Sequence, residues 1–258
     1  MPITPYADID AILHILRSQI QRILGEKLVG VYLYGSLVTG DFDHAISDID
    51  LLAVTSSQID DQDFERLDRM HAEFVASHPQ WNDRIEIAYL SQAALATFRA
   101  QSSPIAIISP GEPFHLKEAG KDWLINWWVV RSYGVALAGP EPEEVIPPIT
   151  REEFLQAVRE QVQAWGSYIT ETRGSRPFQA YAILTLCRAL YACANGEQVS
   201  KQRAGLWAAD HFPAWSALIH NALAWRTAWR EQADPEATFA ETVRFVQFVG
   251  DYLQTMSG

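Results

Sequence analysis

The chain has 258 residues, enough for one large or two modest domains, each with its own core. A formal net charge of −12 weighs against a polyanionic partner such as nucleic acid, whose binding draws on neutralised phosphates, and suits a small cationic one. The two cysteines, Cys187 and Cys193, fall on one predicted helix with Cα atoms about 9 Å apart, too far to bridge, so the chemistry reads as reduced and cytoplasmic.

Met1 to Asp8 carries neither a basic region nor an apolar core, so a secretory signal is not expected. From Asp8 to Leu24 the residues Ile9, Ile12, Leu13, Leu16, Ile20, Ile23 and Leu24 recur at helical spacing, with Gly25 placed to end the helix. Leu28 to Tyr34 is a β-branched and aromatic run that reads as a buried strand ending at Gly35-Ser36. A small turn of this kind lets backbone N–H groups and a hydroxyl approach phosphate closely. Ser47 to Val54 reads as a second strand, whose period of two puts Asp48 and Asp50 on one face and Ile49 on the other. Carboxylates so close repel each other unless a cation lies between them, and Mg²⁺ is held by a few carboxylates together with substrate phosphates.

Asp63 to His78 follows as a helix stopped by Pro79, then Arg84 to Leu90 as a third strand. Glu86 there points opposite to Ile85 and Ile87, the same way as the aspartates, and could ligate metal or act as general base on a hydroxyl. Strand and helix alternate in this half, so it is α/β. The apolar runs near 123–138 and 180–194 are broken by Arg131 and Arg188 and fall short of a bilayer span.

From about 140 to 148 the composition turns proline-rich and acidic, which reads as a stiff linker between a domain over 1–140 and another over 149–258. Beyond it, helical periodicity covers 151–170, 178–194, 200–211, 213–230 and 237–256, an all-α bundle. Arg188 sits in the middle of a helix that is apolar nearly all round and needs a fixed anion, either a carboxylate of the fold or a phosphate. Lys201 follows the candidate N-cap Ser200, where the helix dipole disfavours a cation and free N–H groups favour an anion. The histidines show no metal-ligand spacing, P-loop and Rossmann glycine runs are absent, and the nine tryptophans read as core and interface.

Gly35-Ser36 followed by Asp48-Ile49-Asp50 within a strand resembles the nucleotidyltransferase signature of the DNA polymerase β superfamily. Leu184-Thr185-Leu186-Cys187-Arg188, Val199-Ser200-Lys201 and Trp207-Ala208 resemble the C-terminal domain of the aminoglycoside 3''-adenylyltransferases that modify streptomycin and spectinomycin, and Val135 to Pro140 resembles that family's domain junction. The resemblance implies an α/β nucleotidyltransferase domain, a mixed sheet with flanking helices, followed by an all-α helical bundle. It implies a monomer that uses ATP and Mg²⁺ to adenylylate a small cationic hydroxylated acceptor, with no nucleic-acid or membrane partner. Carried over by matching position, it puts Gly35, Ser36 and Ser47 near the triphosphate, Asp48 and Asp50 on Mg²⁺, Glu86 as base, and Arg188 and Lys201 on phosphates. Trp225 falls where the family has a tyrosine near the nucleotide.

The sequence departs from the family where acceptor identity is set. Arg173-Gly174-Ser175-Arg176-Pro177-Phe178-Gln179-Ala180-Tyr181 stands where the family has a tryptophan and an acidic residue followed by Asn, and Pro113 separates Glu112 from Phe114 and His115. These departures argue against streptomycin. They leave two alternatives open: the same enzyme acting on a protein or endogenous metabolite, and a non-catalytic nucleotide-binding partner protein. Three intact carboxylates argue against the latter, since a pure binder needs no base.

Overall fold

The computed structural model describes residues 2–227 and 236–256 and divides into two compact units, Met1–Ile149 and Thr150–Gly258. In the first, chain order is α1 (Ala7–Leu24), β1 (Leu28–Tyr34), the short α2 (Ser36–Thr39), β2 (Ile49–Thr55), α3 (Asp61–Ser77), β3 (Ile85–Ser91), α4 (Gln92–Thr97), β4 (Ser103–Ser109), β5 (Glu112–Ala119), α5 (Leu124–Tyr133), β6 (Val135–Ala138) and α6 (Pro142–Val145). Six strands form one sheet in the order β5-β4-β3-β2-β1-β6, with β2 and β3 parallel and the other neighbours antiparallel. The sheet is therefore mixed.

Alternation along the central strands sorts their side chains. Val31, Leu33, Ile49, Leu51, Ile85 and Ile87 join the apolar face of α1 and Leu67, Met70 and Phe74 of α3 in one core. Burying each such side chain is worth about 1.5–3 kcal/mol relative to leaving it exposed. A one-residue slip of β2 would put Asp50 into that core, so the register is strongly specified. Observed pairing sets Tyr34 opposite Asp50 on one side and Glu86 opposite Asp50 on the other. All three therefore lie on the face away from the α1 and α3 core, at one level of the sheet.

The segment expected as a stiff linker packs within the first unit. Pro142–Val145 is a helical turn, Ile146 and Ile149 are buried, and Arg131 donates through Nη1 to the carbonyls of Glu143 (2.7 Å) and Ile146. Arg99 donates likewise to the Pro148 carbonyl at 2.6 Å. The preceding Val135–Ala138, which resembled a domain junction, is edge strand β6 on β1.

The second unit comprises α7 (Arg151–Tyr168), α8 (Arg176–Asn195), α9 (Lys201–His211), α10 (Ser216–Thr227) and α11 (Glu236–Thr255). The last three positions of the helix expected over 213–230 lie outside the described residues. A reciprocal Thr150–Glu153 capping box opens α7, and Ser175 and Ser200 accept from the Phe178 and Arg203 amides to open α8 and α9. Helices α7, α9, α10 and α11 all pack on α8, which is why its sequence is apolar nearly all round. Both cysteines are free thiols, and burial pushes both pKa values up. No helix among the described residues is long and apolar enough to cross a membrane.

Candidate active site

Asp48, Asp50 and Glu86 each bring a carboxylate oxygen to within 4.8 Å of the others, all three half-buried. Asp50 and Glu86 are the paired second residues of β2 and β3, while Asp48 stands one residue ahead of β2, at the end of a tight loop. In that loop the Ser47 and Ile46 amides both donate to the Asp43 carbonyl, and the Ala45 amide donates to Asp43 Oδ1 at 2.8 Å. Three hard oxygen donors so placed suit a divalent cation of the Mg²⁺ class, and without one their charges oppose one another.

The turn after β1 closes on this cluster. Gly35 has φ 72° and ψ −146°, and a Cβ built there would lie 1.8 Å from Asp50 Oδ2. Only glycine leaves room for the carboxylate and adopts that backbone without strain. Ser36 Oγ, beside it, is buried and has no hydrogen-bond partner among the described residues. An orphaned hydroxyl next to clustered carboxylates is chemistry for an incoming polar group. Ser47 differs: it is 3% exposed and its Oγ accepts from the Asp43 amide at 3.0 Å, so it braces the loop beneath Asp48.

Two neighbours of the cluster went unread in the sequence. Tyr34 donates its hydroxyl to Glu86 Oε1 at 2.9 Å. Burial first, then the Glu86 and Asp50 carboxylates beside it, hold the Tyr34 phenol well above its usual pKa, so it remains a donor. Strand alternation could have found it, since the residue ending β1 shares a face with Asp50. Arg84, two residues before Glu86, reaches back to the Ser47 carbonyl, donating through Nε at 3.0 Å and also through Nη2. No sequence spacing announces that contact.

The remaining candidates lie in the second unit. Arg188 is half-buried on α8, and Lys201, the first residue of α9, places its Nζ 4.3 Å from the centre of the Tyr181 ring. Tyr181 precedes Arg188 by two helical turns on α8, so both cations are associated with the same stripe of that helix. Arg173 pairs with Glu236 at 2.7 Å, and Arg176 lies 5.2 Å over the Trp225 ring, which engages Trp225 within its own unit. Phe114 stacks on Phe64 at 4.6 Å and is buried, a core residue of the first unit, whereas His115 approaches Glu112 at 3.4 Å.

A mixed sheet that carries this carboxylate cluster beside a Gly-Ser turn is the architecture of a nucleotidyltransferase. Residues 4–91 match the family described as nucleotidyltransferase domain, and residues 144–251 match aminoglycoside adenylyltransferase, C-terminal domain. Through these two matches the chain is similar to the aminoglycoside adenylyltransferases, and it is an adenylyltransferase. It is 28% identical over 245 residues to the aminoglycoside (3'') (9) adenylyltransferase of Klebsiella pneumoniae, covering 89% of each. With the spectinomycin 9-adenylyltransferase of Campylobacter jejuni it shares 25% identity over 197 residues, 72% of this chain and 73% of that one. The crystal structure of spectinomycin adenyltransferase AAD(9) from Enterococcus faecialis, solved with ATP and spectinomycin, has the same fold at 18% identity, with a TM-score of 0.69 over 91% of this chain and 98% of that one.

Proposed function

We propose that the protein moves the adenylyl group of ATP to a hydroxyl of an aminoglycoside-type acceptor such as spectinomycin or streptomycin, with Mg²⁺ as its cofactor. The observation that carries this reading is the convergence of Asp48, Asp50 and Glu86 from β2 and β3 within 4.8 Å. Asp48 and Asp50 hold the cation, with Glu86 near enough to share it. When bound, the ion neutralises phosphate charge and makes the α-phosphorus more electrophilic.

The chain's own residues do the rest. The turn at Gly35 and the free hydroxyl of Ser36 meet the triphosphate, while Ser47 shapes the loop that delivers Asp48. Glu86 takes the proton of the acceptor hydroxyl as its oxygen bonds to the α-phosphorus, and the bond from that phosphorus to the bridging oxygen breaks to release pyrophosphate. Tyr34 donates to Glu86 Oε1 and so holds the carboxylate in place. Arg188 and Lys201 contact the phosphates. The work is positioning plus charge neutralisation.

A second reading keeps the chemistry and changes the acceptor to a protein hydroxyl or an endogenous metabolite. It is favoured by the arginines at 173 and 176, in the region that the family resemblance assigns to the acceptor, because they do not attract a polycation. Pyrophosphate release from ATP and Mg²⁺ across a panel of spectinomycin, streptomycin and other aminoglycosides tests both. Release with one drug identifies the acceptor; no release with any, alongside intact ATP binding, overturns the aminoglycoside reading and directs the search to protein and metabolite hydroxyls.

A further inference from the structure

Asp48 is the least supported of the three carboxylates by the sheet. Asp50 and Glu86 sit inside paired strands, but β2 begins at Ile49, and the turn that precedes Asp48 has exposed residues at His44 and Ala45. One residue supplies what the ladder does not. Arg84 Nε and Nη2 both donate to the carbonyl of Ser47, immediately before Asp48, and the Arg84 carbonyl accepts from the amide of Ile49, immediately after it, at 3.0 Å. The peptide groups on both sides of Asp48 are thus tied to a single residue.

The fork itself is held. The guanidinium carbon of Arg84 lies 4.7 Å from the centre of the Trp81 ring, and Trp81 is buried in the first unit's core. A planar guanidinium backed by an aromatic face loses little freedom in making two donations that converge on one oxygen. Burial draws the Arg84 pKa down against the opposing pull of Asp48 and Asp43, yet a guanidinium stays charged at any pH the fold survives. Arg84 therefore adds a fixed positive charge beside the carboxylate whose backbone it anchors.

We propose that Arg84 is a positioning residue that fixes Asp48 as a ligand for a divalent cation, acting through the Ser47 carbonyl and the Ile49 amide. The inference rests on the reading of Asp48 as a metal ligand. Partners that orient ligands from behind are worth about 10–100-fold in metal affinity, and that range sets the expected effect.

The test is an EPR titration of Mn²⁺ into the full-length protein, wild type, Arg84→Ala, Arg84→Lys and Asp48→Asn, with kcat and KM measured on the same samples. Arg84→Ala is expected to bind Mn²⁺ at least about tenfold more weakly and to lose kcat, with the acceptor KM unchanged. A merely structural role would lower the melting temperature and leave these values alone. Affinity within about twofold of wild type in folded Arg84→Ala overturns the proposal. Should that variant not fold, Arg84→Lys carries the test: it keeps the charge and the stem over Trp81 but cannot donate as a fork, and undiminished affinity there is equally fatal. Asp48→Asn separates the two layers. If it binds Mn²⁺ as the wild type does, the reading of Asp48 as a ligand fails and the proposal with it; if it loses binding and the Arg84 variants do not, only the proposal falls.

Discussion

A methyl group added at Gly35 has nowhere to go. Its Cβ would lie 1.8 Å from Asp50 Oδ2 and 2.6 Å from Asp50 Cγ, and Asp50 cannot retreat as a whole because β2 pairs with β1 and β3 at that position. The carboxylate must rotate out of the cluster. The backbone is strained as well, since φ 72° with ψ −146° is open to glycine and costs other residues about 1–3 kcal/mol. An off-rotamer Asp50 adds about 0.5–1.5 kcal/mol. Together Gly35→Ala should destabilise the first unit by about 2–4 kcal/mol, and at about 2–4 °C per kcal/mol the melting temperature should fall by some 4–16 °C.

Activity should fall much further than stability. Misplacing one electrostatic element of an active site lowers kcat by about 10²–10³. The assay is pyrophosphate release at 25 °C beside a thermal melt, with Gly25→Ala as control. Gly25 has a comparable backbone, φ 53° and ψ −128°, but nothing lies within 4 Å of its built Cβ. The control should lose stability through strain and keep its kcat. Gly35→Ala with kcat within about tenfold of wild type, or with a loss fully explained by its unfolded fraction, would refute the argument that glycine is required here to seat Asp50.

Other expectations follow from the same geometry. Asp50→Ala should abolish turnover while the far-UV circular dichroism stays native, and retained activity would sink the metal assignment. Tyr34→Phe removes the donor to Glu86 Oε1; a hydrogen bond to a charged group is worth about 1.5–3 kcal/mol, so kcat should drop about 10–100-fold with the ATP KM unchanged, as initial rates would show. Arg188→Ala should raise the ATP KM about tenfold or more and leave Mn²⁺ binding by the first unit intact, a split checked by kinetics and EPR together. His71 is buried against Tyr89 at 3.0 Å, and burial lowers its pKa to about 3 from 6.5. The unfolded chain binds this proton first, so stability is full above about pH 6.5 and is lost at up to about 1.4 kcal/mol per pH unit as pH falls toward 3. A His71→Gln variant should show a shallower decline in melting temperature across that window.

The carboxylate cluster was legible because a single rule, alternation along a strand, fixes which way Asp50 and Glu86 point once Ile49, Leu51, Ile85 and Ile87 are seen to be apolar. The helices of the second unit were legible for the matching reason at a period of 3.6. Strands β4, β5 and β6 were not. Ser103–Ser109 opens on Ser-Pro, Glu112–Ala119 carries Pro113, His115 and Lys117, and Val135–Ala138 is only four residues long, so each owes its strand state to a neighbour already in place. Arg84 and Tyr34 fail to announce themselves for another reason: each acts on a residue 37 or 52 positions away, and only the sheet brings them together.

Composition alone does not show how the stretch from 140 to 148 packs. Proline and glutamate suggest a stiff connector, but proline also removes backbone donors and leaves the carbonyls. A proline-rich segment therefore needs donors from elsewhere if it is to pack, and Arg131 and Arg99 provide them at the carbonyls of Glu143, Ile146 and Pro148. Satisfying those acceptors lowers the polar cost of burying Ile146 and Ile149. Arg131 reads in sequence only as an interruption of an apolar run, since what a guanidinium is for depends on carbonyls that composition does not show.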